Sequence, residues 1–190
     1  MSIADHSQGL LTKSSEIIRN QLGLEPTGRP SKSTMSISEK LRRESIRLSQ
    51  IQDISGCRLV LPDVAEQDRV IESLGKMFDN VTIVDRRRQP SHGYRAVHRV
   101  VEWGEKLVEI QVRTALQHLW AELSEKLSDL VDPALKYGGG NENLQKLLLV
   151  LSDGIAKHEQ FGDDKVSRDI LTKVLQETID HAAKLDWGKP

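Results

Sequence analysis

Two acidic residues, Asp53 and Glu109, stand in short strings that also contain arginine. The strings read DISGCR at residues 53–58 and EIQVRT at residues 109–114, and GYRAVH occupies residues 93–98 between them. Both acidic strings join apolar alternation that is typical of β-strands. Two carboxylates delivered by two strands and surrounded by cations predict a divalent-metal site that holds a polyphosphate. Asp53 alone would more often be simple turn chemistry, so this prediction depends on the pair.

Three further residues each allow a functional and a structural interpretation. Alternation places Leu107, Glu109 and Gln111 on one strand face, so Glu109 either serves a site or simply faces solvent. Tyr94 lies among arginines and is either a core aromatic or a stacking platform for a base. His98, four residues later on the same predicted strand face, is either a site residue or a structural histidine.

Positive charge is concentrated in two stretches of a chain whose net charge is −1. Seven cations and three anions lie between Arg29 and Arg58, and five arginines without any acid lie between Arg86 and Arg99. A locally positive cleft on a nearly neutral protein favours a small polyanion over a long duplex. The basic loop Arg29–Ser33 could offer backbone N–H groups and cations to phosphate.

Several classes of protein do not fit the sequence. There is one cysteine in 190 residues, so no internal disulfide forms, and a reducing compartment is expected. Residues 1–20 carry charges where a signal peptide would be apolar, and the longest apolar run, Leu147–Leu151, is too short for a bilayer. Walker-type, dinucleotide-binding and zinc-ligand spacings do not occur. A cytoplasmic protein is the expectation.

Hydrophobic periodicity predicts a domain that alternates between helices and strands. Gly23–Ser33 is predicted to be a connection, and Thr114 and Asn141 to be N-caps. The predicted helices are Ile3–Leu22, Ser36–Arg47, Val64–Phe78, Thr114–Leu130, Asn141–His158 and Lys165–Lys184. The predicted strands are Cys57–Leu61, Val81–Val84, Arg95–Glu102 and Lys106–Val112, the last two joined by a hairpin turn at Trp103–Glu105. This order implies one mixed sheet of about four to five strands flanked by helices, an α+β or α/β domain with N- and C-terminal helical extensions.

The three strings DISGCR, GYRAVH and EIQVRT, in this order and spacing, resemble the signature of the RelA/SpoT-type alarmone synthetase domain. The upstream RPSKS at residues 29–33 and the downstream LWAEL at residues 119–123 add to the resemblance. The fold it implies is nucleotidyltransferase-like and α+β. It implies an N-terminal helix and linker at residues 1–28, a synthetase core at 29–131 and a C-terminal helical extension at 132–190, packed on the core or used in oligomerisation.

Enzymes of this family transfer the β,γ-pyrophosphate of ATP to the ribose 3′-hydroxyl of GDP or GTP, which makes (p)ppGpp. By this resemblance Asp53 and Glu109 would hold Mg²⁺, and Glu109 would also help to deprotonate or orient the 3′-hydroxyl. The other implied roles fall into two groups. ATP would be bound by Arg29, Lys32 and Arg58, and the acceptor nucleotide by Arg88, Tyr94 and His98, with Gln111 and Arg113 as further binding residues.

The chain departs from the family pattern in ways that bear on its substrates. It contains no His-Asp dipeptide of the hydrolase domain found in large bifunctional members, so it resembles the small stand-alone synthetases, which are often homo-oligomers joined through terminal helices. Before Gly93, where the family usually has lysine-x-asparagine, the sequence reads QPSH. Three alternatives therefore stay open: pyrophosphorylation of a tRNA 3′ end, an adenosine nucleotide as acceptor, and a catalytically silent nucleotide-binding regulator.

Overall fold

The computed structural model describes Thr12, residues 15–29, 56–78, 81–103, 106–161 and 164–182, and Lys184. The chain forms two compact units, each assembled from separate segments of the sequence. The sheet unit comprises the described residues up to Val60 together with Gln67–Val84 and Val97–Val112. The helical unit comprises Leu61–Glu66, Asp85–Ala96 and the described residues from Arg113 onward. The boundaries expected at residues 28 and 131 stay a prediction.

Among the residues that the structure describes, five strands form one sheet in the order β1-β2-β5-β4-β3, so β5 occupies its centre. The strands are β1 (Thr27–Arg29), β2 (Gly56–Leu61), β3 (Val81–Asp85), β4 (Val97–Trp103) and β5 (Lys106–Thr114). The mixed sheet with accompanying helices confirms the predicted α+β fold.

The predicted hairpin between the fourth and fifth strands is confirmed by their pairing. β4 and β5 are antiparallel, with registered pairs from Val97↔Val112 to Trp103↔Lys106. Six of the sixteen residues in these strands are valine or isoleucine, all six of them buried, and such β-branched residues pack well on a pleated surface. Residues 104 and 105 of the turn lie outside the described residues.

Helix α1 (Val64–Met77) follows β2, and its buried residues recur at helical spacing. Gln67, Val70 and Leu74 are its buried residues, at helical spacings of three and four. The Asp63 carboxylate accepts the backbone N–H of Glu66 over 2.8 Å, which satisfies one donor at the start of the helix.

The helical unit contains α2 (Ala115–Leu130), a 3₁₀ helix (Pro133–Tyr137), α3 (Glu142–Phe161) and α4 (Lys165–Ala182). Thr114 is the N-cap of α2 and forms a capping box with Gln117, as predicted for a cap at this threonine. Asn141 accepts the backbone N–H of Asn143 over 3.0 Å, which confirms the second predicted cap. The buried core of this unit includes Leu116, Leu119, Trp120, Leu123, Leu127, Leu135, Leu148, Ile155 and Leu175.

The remaining predicted elements differ from the structure in limited ways. Strand β1 lies inside the stretch predicted as a connection, and the 3₁₀ helix was not predicted. The strand predicted from Arg95 begins at Val97, so Tyr94 belongs to the preceding turn. Of the first predicted helix, Thr12 and residues 15–22 are described and helical, while the helix predicted at Ser36–Arg47 lies outside the described residues. None of the helices described has the length and apolarity needed to cross a membrane.

Candidate active site

Glu109 lies on the central strand of the sheet and is buried, with 8% of its surface exposed. Its neighbours Val108 and Ile110, which point to the opposite face, are fully buried. The interpretation that Glu109 simply faces solvent is therefore wrong. A buried carboxylate is costly unless polar groups compensate it, so its partners define what this position can do.

Two polar side chains hold the Glu109 carboxylate in place. His98 Nδ1 lies 2.7 Å from Glu109 Oε1, and Gln111 Nε2 donates to Oε2 over 2.9 Å. The hairpin register sets His98 directly opposite Gln111, and this brings both side chains beside Glu109. Because an ionised carboxylate can only accept hydrogen bonds, His98 donates its Nδ1–H here. The three side chains fix a negative charge in a defined orientation.

Gly56 brings the start of the second strand, β2, against Glu109. Strand β2 begins at Gly56 and neighbours β5 in the sheet. A Cβ atom at this position would lie 2.6 Å from the Glu109 backbone oxygen, closer than real Cβ atoms come. Glycine is therefore required by the close approach of two backbones. Asp53, three residues earlier in the sequence, lies outside the described residues.

Cys57 is buried in the same sheet and is chemically inert. Burial, assisted by the negative charge of Glu109, raises the pKa of the Cys57 thiol to about 12. The thiolate is the nucleophilic form of cysteine, and it is therefore strongly disfavoured at neutral pH. The cysteine in the DISGCR string is a packing residue.

The predicted ATP-binding arginines lie on paired strands. β1 and β2 are antiparallel, with Arg29 paired with Gly56 and Thr27 paired with Arg58. Arg29 and Arg58 are consequently two positions apart across the strand pair, and Arg58 is half-buried. Lys32 lies outside the described residues. The register brings together two of the three residues predicted to bind ATP.

The helical unit contains a tight turn at Ser91–Tyr94. The backbone N–H of Tyr94 donates to Ser91 O over 2.9 Å, and the Ser91 N–H donates to Tyr94 O over 3.2 Å. His92 and Gly93, the two central residues, both have positive φ, at 52° and 89°. Positive φ at both central positions is the pattern of a type I′ turn, which favours asparagine and glycine. The sequence departure before Gly93 thus places a histidine at a position where asparagine is less strained.

Tyr94, the predicted base-stacking residue, contacts Arg113. Arg113 Nη2 donates to the Tyr94 hydroxyl over 2.9 Å, and the guanidinium carbon lies 4.9 Å from the ring centroid. Tyr94 is half-buried and packs against the helical core, whereas Arg113 is 3% exposed. The buried guanidinium orients the ring through both a hydrogen bond and a cation–π contact.

The three consecutive arginines after β3, residues 86–88, differ in their contacts and exposure. Arg87 forms an ion pair with Asp85 at 2.9 Å, whereas Arg86 and Arg88 are exposed. Burial tends to raise the pKa of the Asp85 carboxyl, but its hydrogen bonds with Arg87 outweigh burial and lower this pKa. Arg88, predicted to bind the acceptor phosphates, is therefore displayed at the surface of the turn while Arg87 is held by Asp85.

Sequence reasoning missed the part played by Arg95, which it quoted within GYRAVH without assigning a role. Its guanidinium donates from Nε to Ser152 Oγ over 3.0 Å, from Nη1 to Arg87 O over 2.7 Å and from Nη2 to Asp153 Oδ1 over 2.7 Å. Ser152 and Asp153 lie more than fifty residues away in the sequence. No local pattern signals such a contact, because arginine beside a turn is usually solvated.

Magnesium, which the family resemblance implies, is compatible with Glu109. Within the part of the chain that the structure describes, no group of three or more histidine, cysteine, aspartate or glutamate side chains could enclose a metal. Mg²⁺ needs no such enclosure, since proteins usually bind it through one or two carboxylates together with substrate phosphates. The Glu109 carboxylate, oriented by His98 and Gln111, is a ligand of the type that Mg²⁺ prefers.

Comparison with known proteins identifies the family. A model described as "Region found in RelA / SpoT proteins" matches residues 28–128, just over half of the chain. The chain belongs to the RelA/SpoT family. The match begins on β1 and ends within α2, so it covers all the residues predicted to form the site.

Relatives of known sequence and structure agree with this assignment. The uncharacterized protein Rv1366 of Mycobacterium tuberculosis is 36% identical over 67% of this chain and 53% of its own length. The GTP pyrophosphokinase YjbM of Bacillus subtilis is 38% identical over 65% of this chain and 62% of its own. The chain thus spans about half the length of the first of these curated relatives. The small alarmone synthetase 1 crystal structure from Bacillus subtilis matches with a TM-score of 0.57 at 28% identity, over 87% of this chain and 94% of that one.

Proposed function

We propose that this RelA/SpoT family chain is a magnesium-dependent pyrophosphokinase that transfers the β,γ-pyrophosphate of ATP to the ribose 3′-hydroxyl of GDP or GTP. The observation that carries the proposal is the buried Glu109 carboxylate, held by His98 and Gln111 beside the start of β2. A structure of small alarmone synthetase 1 bound to its product pppGpp shares the fold, with a TM-score of 0.58 at 22% identity.

The proposed magnesium site requires Asp53 to lie near Glu109, and the geometry of β2 supports this. Gly56 is in contact with the Glu109 backbone, and Asp53 precedes it by three residues. Three residues span at most about 11 Å, and the proposal requires this short link to carry Asp53 toward the Glu109 carboxylate. Magnesium, when bound, would neutralise phosphate charge and align the donor.

The chain's own residues then have distinct proposed roles. Glu109, oriented by His98 and Gln111, would accept or orient the 3′-hydroxyl proton of the acceptor. Arg29 and Arg58 lie on the paired strands β1 and β2, two register positions apart. Their planar guanidiniums would hold the adenine of ATP between them. Phosphoryl-type transfer depends on positioning and charge neutralisation more than on covalent catalysis, which suits this set of residues.

The acceptor nucleotide would be bound by the residues of the Ser91–Tyr94 turn and its surroundings. Tyr94, whose ring and hydroxyl contact Arg113, would stack on the guanine. Exposed Arg88 would contact the acceptor phosphates, and Lys32 would contact those of ATP. These assignments extend the family resemblance to single residues of this chain.

Incubation with ATP labelled in the γ-phosphate tests the proposal. The acceptors are GDP, GTP, an adenosine nucleotide and deacylated tRNA, each with Mg²⁺ and with EDTA. We expect magnesium-dependent label in GDP or GTP together with one AMP for each product. Label confined to tRNA or to an adenosine nucleotide would contradict guanosine specificity. ATP binding without AMP release in any mixture would indicate a silent regulator.

A further inference from the structure

We infer that Arg95 is a positioning residue that locks the Ser91–Tyr94 turn onto helix α3, so that acceptor affinity depends on this helix. The inference rests on the proposed function, in which Tyr94 binds the acceptor base. It assigns a task to a residue of the GYRAVH string and to α3, a helix beyond the matched family region. All the contacts that carry it lie within the helical unit.

All three nitrogen atoms of the Arg95 guanidinium donate hydrogen bonds that link the turn to neighbouring segments. Nε and Nη2 reach Ser152 and Asp153 on α3, whereas Nη1 donates to the backbone oxygen of Arg87. The Arg95 side chain is 14% exposed; its bonds to Ser152 and to Arg87 are partly buried, whereas its bond to Asp153 is exposed. This fork of charge-assisted hydrogen bonds, two of them partly buried, fixes the residue next to Tyr94.

Ser152 extends this link to the turn itself. Its hydroxyl is buried, accepts from Arg95 Nε and donates to the backbone oxygen of Gly93. One serine on α3 therefore contacts the residues on both sides of Tyr94. Main-chain and side-chain contacts on either side of Tyr94 restrict the path of its backbone.

The turn also packs tightly against the helices. A Cβ atom at Gly93 would lie 2.7 Å from the ring of Trp120, whose indole N–H donates to Leu148 O on α3 over 2.8 Å. A Cβ atom at Gly138 would overlap the His92 ring, so the backbone just after the 3₁₀ helix contacts the turn as well. Gly138, in the Tyr137–Gly140 stretch that has no role predicted from the sequence, thus packs against His92.

A locked turn lowers the cost of binding. If Tyr94 moved freely, the acceptor would have to order it on binding, and its apparent affinity would fall by the fraction of molecules with the ring in place. ATP would not be affected, because Arg29 and Arg58, which are proposed to hold its adenine, lie on β1 and β2. The lock therefore predicts an effect on one substrate only.

The test uses Arg95→Ala, Asp153→Ala, the double variant, and Asp169→Ala as a control that removes an exposed acid from α4. The Asp153 side chain is 64% exposed, so its removal leaves the fold intact even if Arg95→Ala proves unstable. Two readouts are measured: hydrogen exchange in a peptide that covers residues 86–96, and steady-state kinetics with each substrate varied in turn.

We expect faster exchange in this peptide for both single variants and no change for the control. The KM for the acceptor should rise about tenfold in Arg95→Ala, which loses three hydrogen bonds, and about twofold in Asp153→Ala, which loses one exposed ion pair. The KM for ATP and kcat should stay within about twofold of wild type, and Asp153→Ala should add nothing to Arg95→Ala.

Unchanged exchange in both single variants would overturn the lock. Faster exchange with an unchanged acceptor KM, or with an equal rise in the KM for ATP, would overturn the role in acceptor positioning. If wild type transferred no pyrophosphate, the proposed function would fail and acceptor positioning with it. The exchange data would still decide separately whether Arg95 holds the turn.

Discussion

Replacing Gly56 with alanine tests how closely β2 must approach the strand of Glu109. The new Cβ would lie 2.6 Å from the Glu109 backbone oxygen, whereas ordinary contact begins at 3.4 Å. The two strands must therefore separate locally by about 0.8 Å, since both groups in contact are backbone and neither can rotate away. The displaced strand is the one that follows Asp53.

Two consequences of this displacement can be measured. Overpacking of this kind costs about 1–3 kcal/mol, so the free energy of unfolding in urea should fall by that amount. A shift approaching 1 Å in a catalytic group costs about 100-fold in rate, so pyrophosphate transfer should fall by about 10- to 100-fold in the folded variant. Circular dichroism at low urea establishes that the variant is folded during the activity assay.

Gly28→Ala is the matched control on the neighbouring strand. Gly28 pairs with Cys57 on β2, and a Cβ there would have nothing within 4 Å. We expect its stability and activity to stay close to those of wild type, within about 0.5 kcal/mol. If Gly56→Ala matched Gly28→Ala in both stability and transfer rate, the close approach of β2 to Glu109 would have no functional meaning.

Three further predictions concern the turn and the buried thiol. Tyr94→Ala should raise the KM for the acceptor by a factor that corresponds to about 1–3 kcal/mol of lost stacking, with the KM for ATP unchanged; an unaltered acceptor KM would make Tyr94 purely structural. Gly93→Ala should lower the free energy of unfolding by about 1–3 kcal/mol, because φ is 89° and the Cβ would overlap Trp120, whereas Gly154→Ala in α3 should not be destabilising. Between about pH 8.5 and 10 the Cys57 thiol loses its proton in the unfolded chain but keeps it in the folded chain, where its pKa is about 12. The free energy of unfolding should therefore fall with rising pH more steeply in wild type than in Cys57→Ala. Identical pH slopes measured by urea unfolding would contradict the protected thiol.

Local sequence patterns were sufficient where structure follows from neighbouring residues. The alternation in β4 and β5 and the caps at Thr114 and Asn141 are local signals, and these elements were predicted close to their observed bounds. Strand β1 was missed because Thr-Gly-Arg after a proline has weak strand propensity. It becomes a strand by pairing with β2, a contact that sequence patterns do not encode.

The sequence predicted which residues belong to the candidate site better than it predicted their burial and their contacts. Alternation suggested an exposed polar face for Glu109, but β5 is central and the carboxylate is buried among His98 and Gln111. Its compensation depends on hairpin register, which fixes cross-strand neighbours. The hydrogen bonds from Arg95 to α3 depend on tertiary packing and left no trace in the motif.

The transfer rate of Glu109→Gln tests the central claim most directly. The amide can accept from Gln111 and donate to the other tautomer of His98, so the fold should survive, but it lacks the charge needed to hold magnesium. Glu102→Gln, which alters an exposed glutamate on β4, is the control. We predict that magnesium-dependent transfer from ATP to GDP or GTP falls by at least about 1,000-fold in Glu109→Gln and stays normal in the control. Near-normal transfer in a folded Glu109→Gln variant would contradict the assignment of Glu109 to the catalytic site.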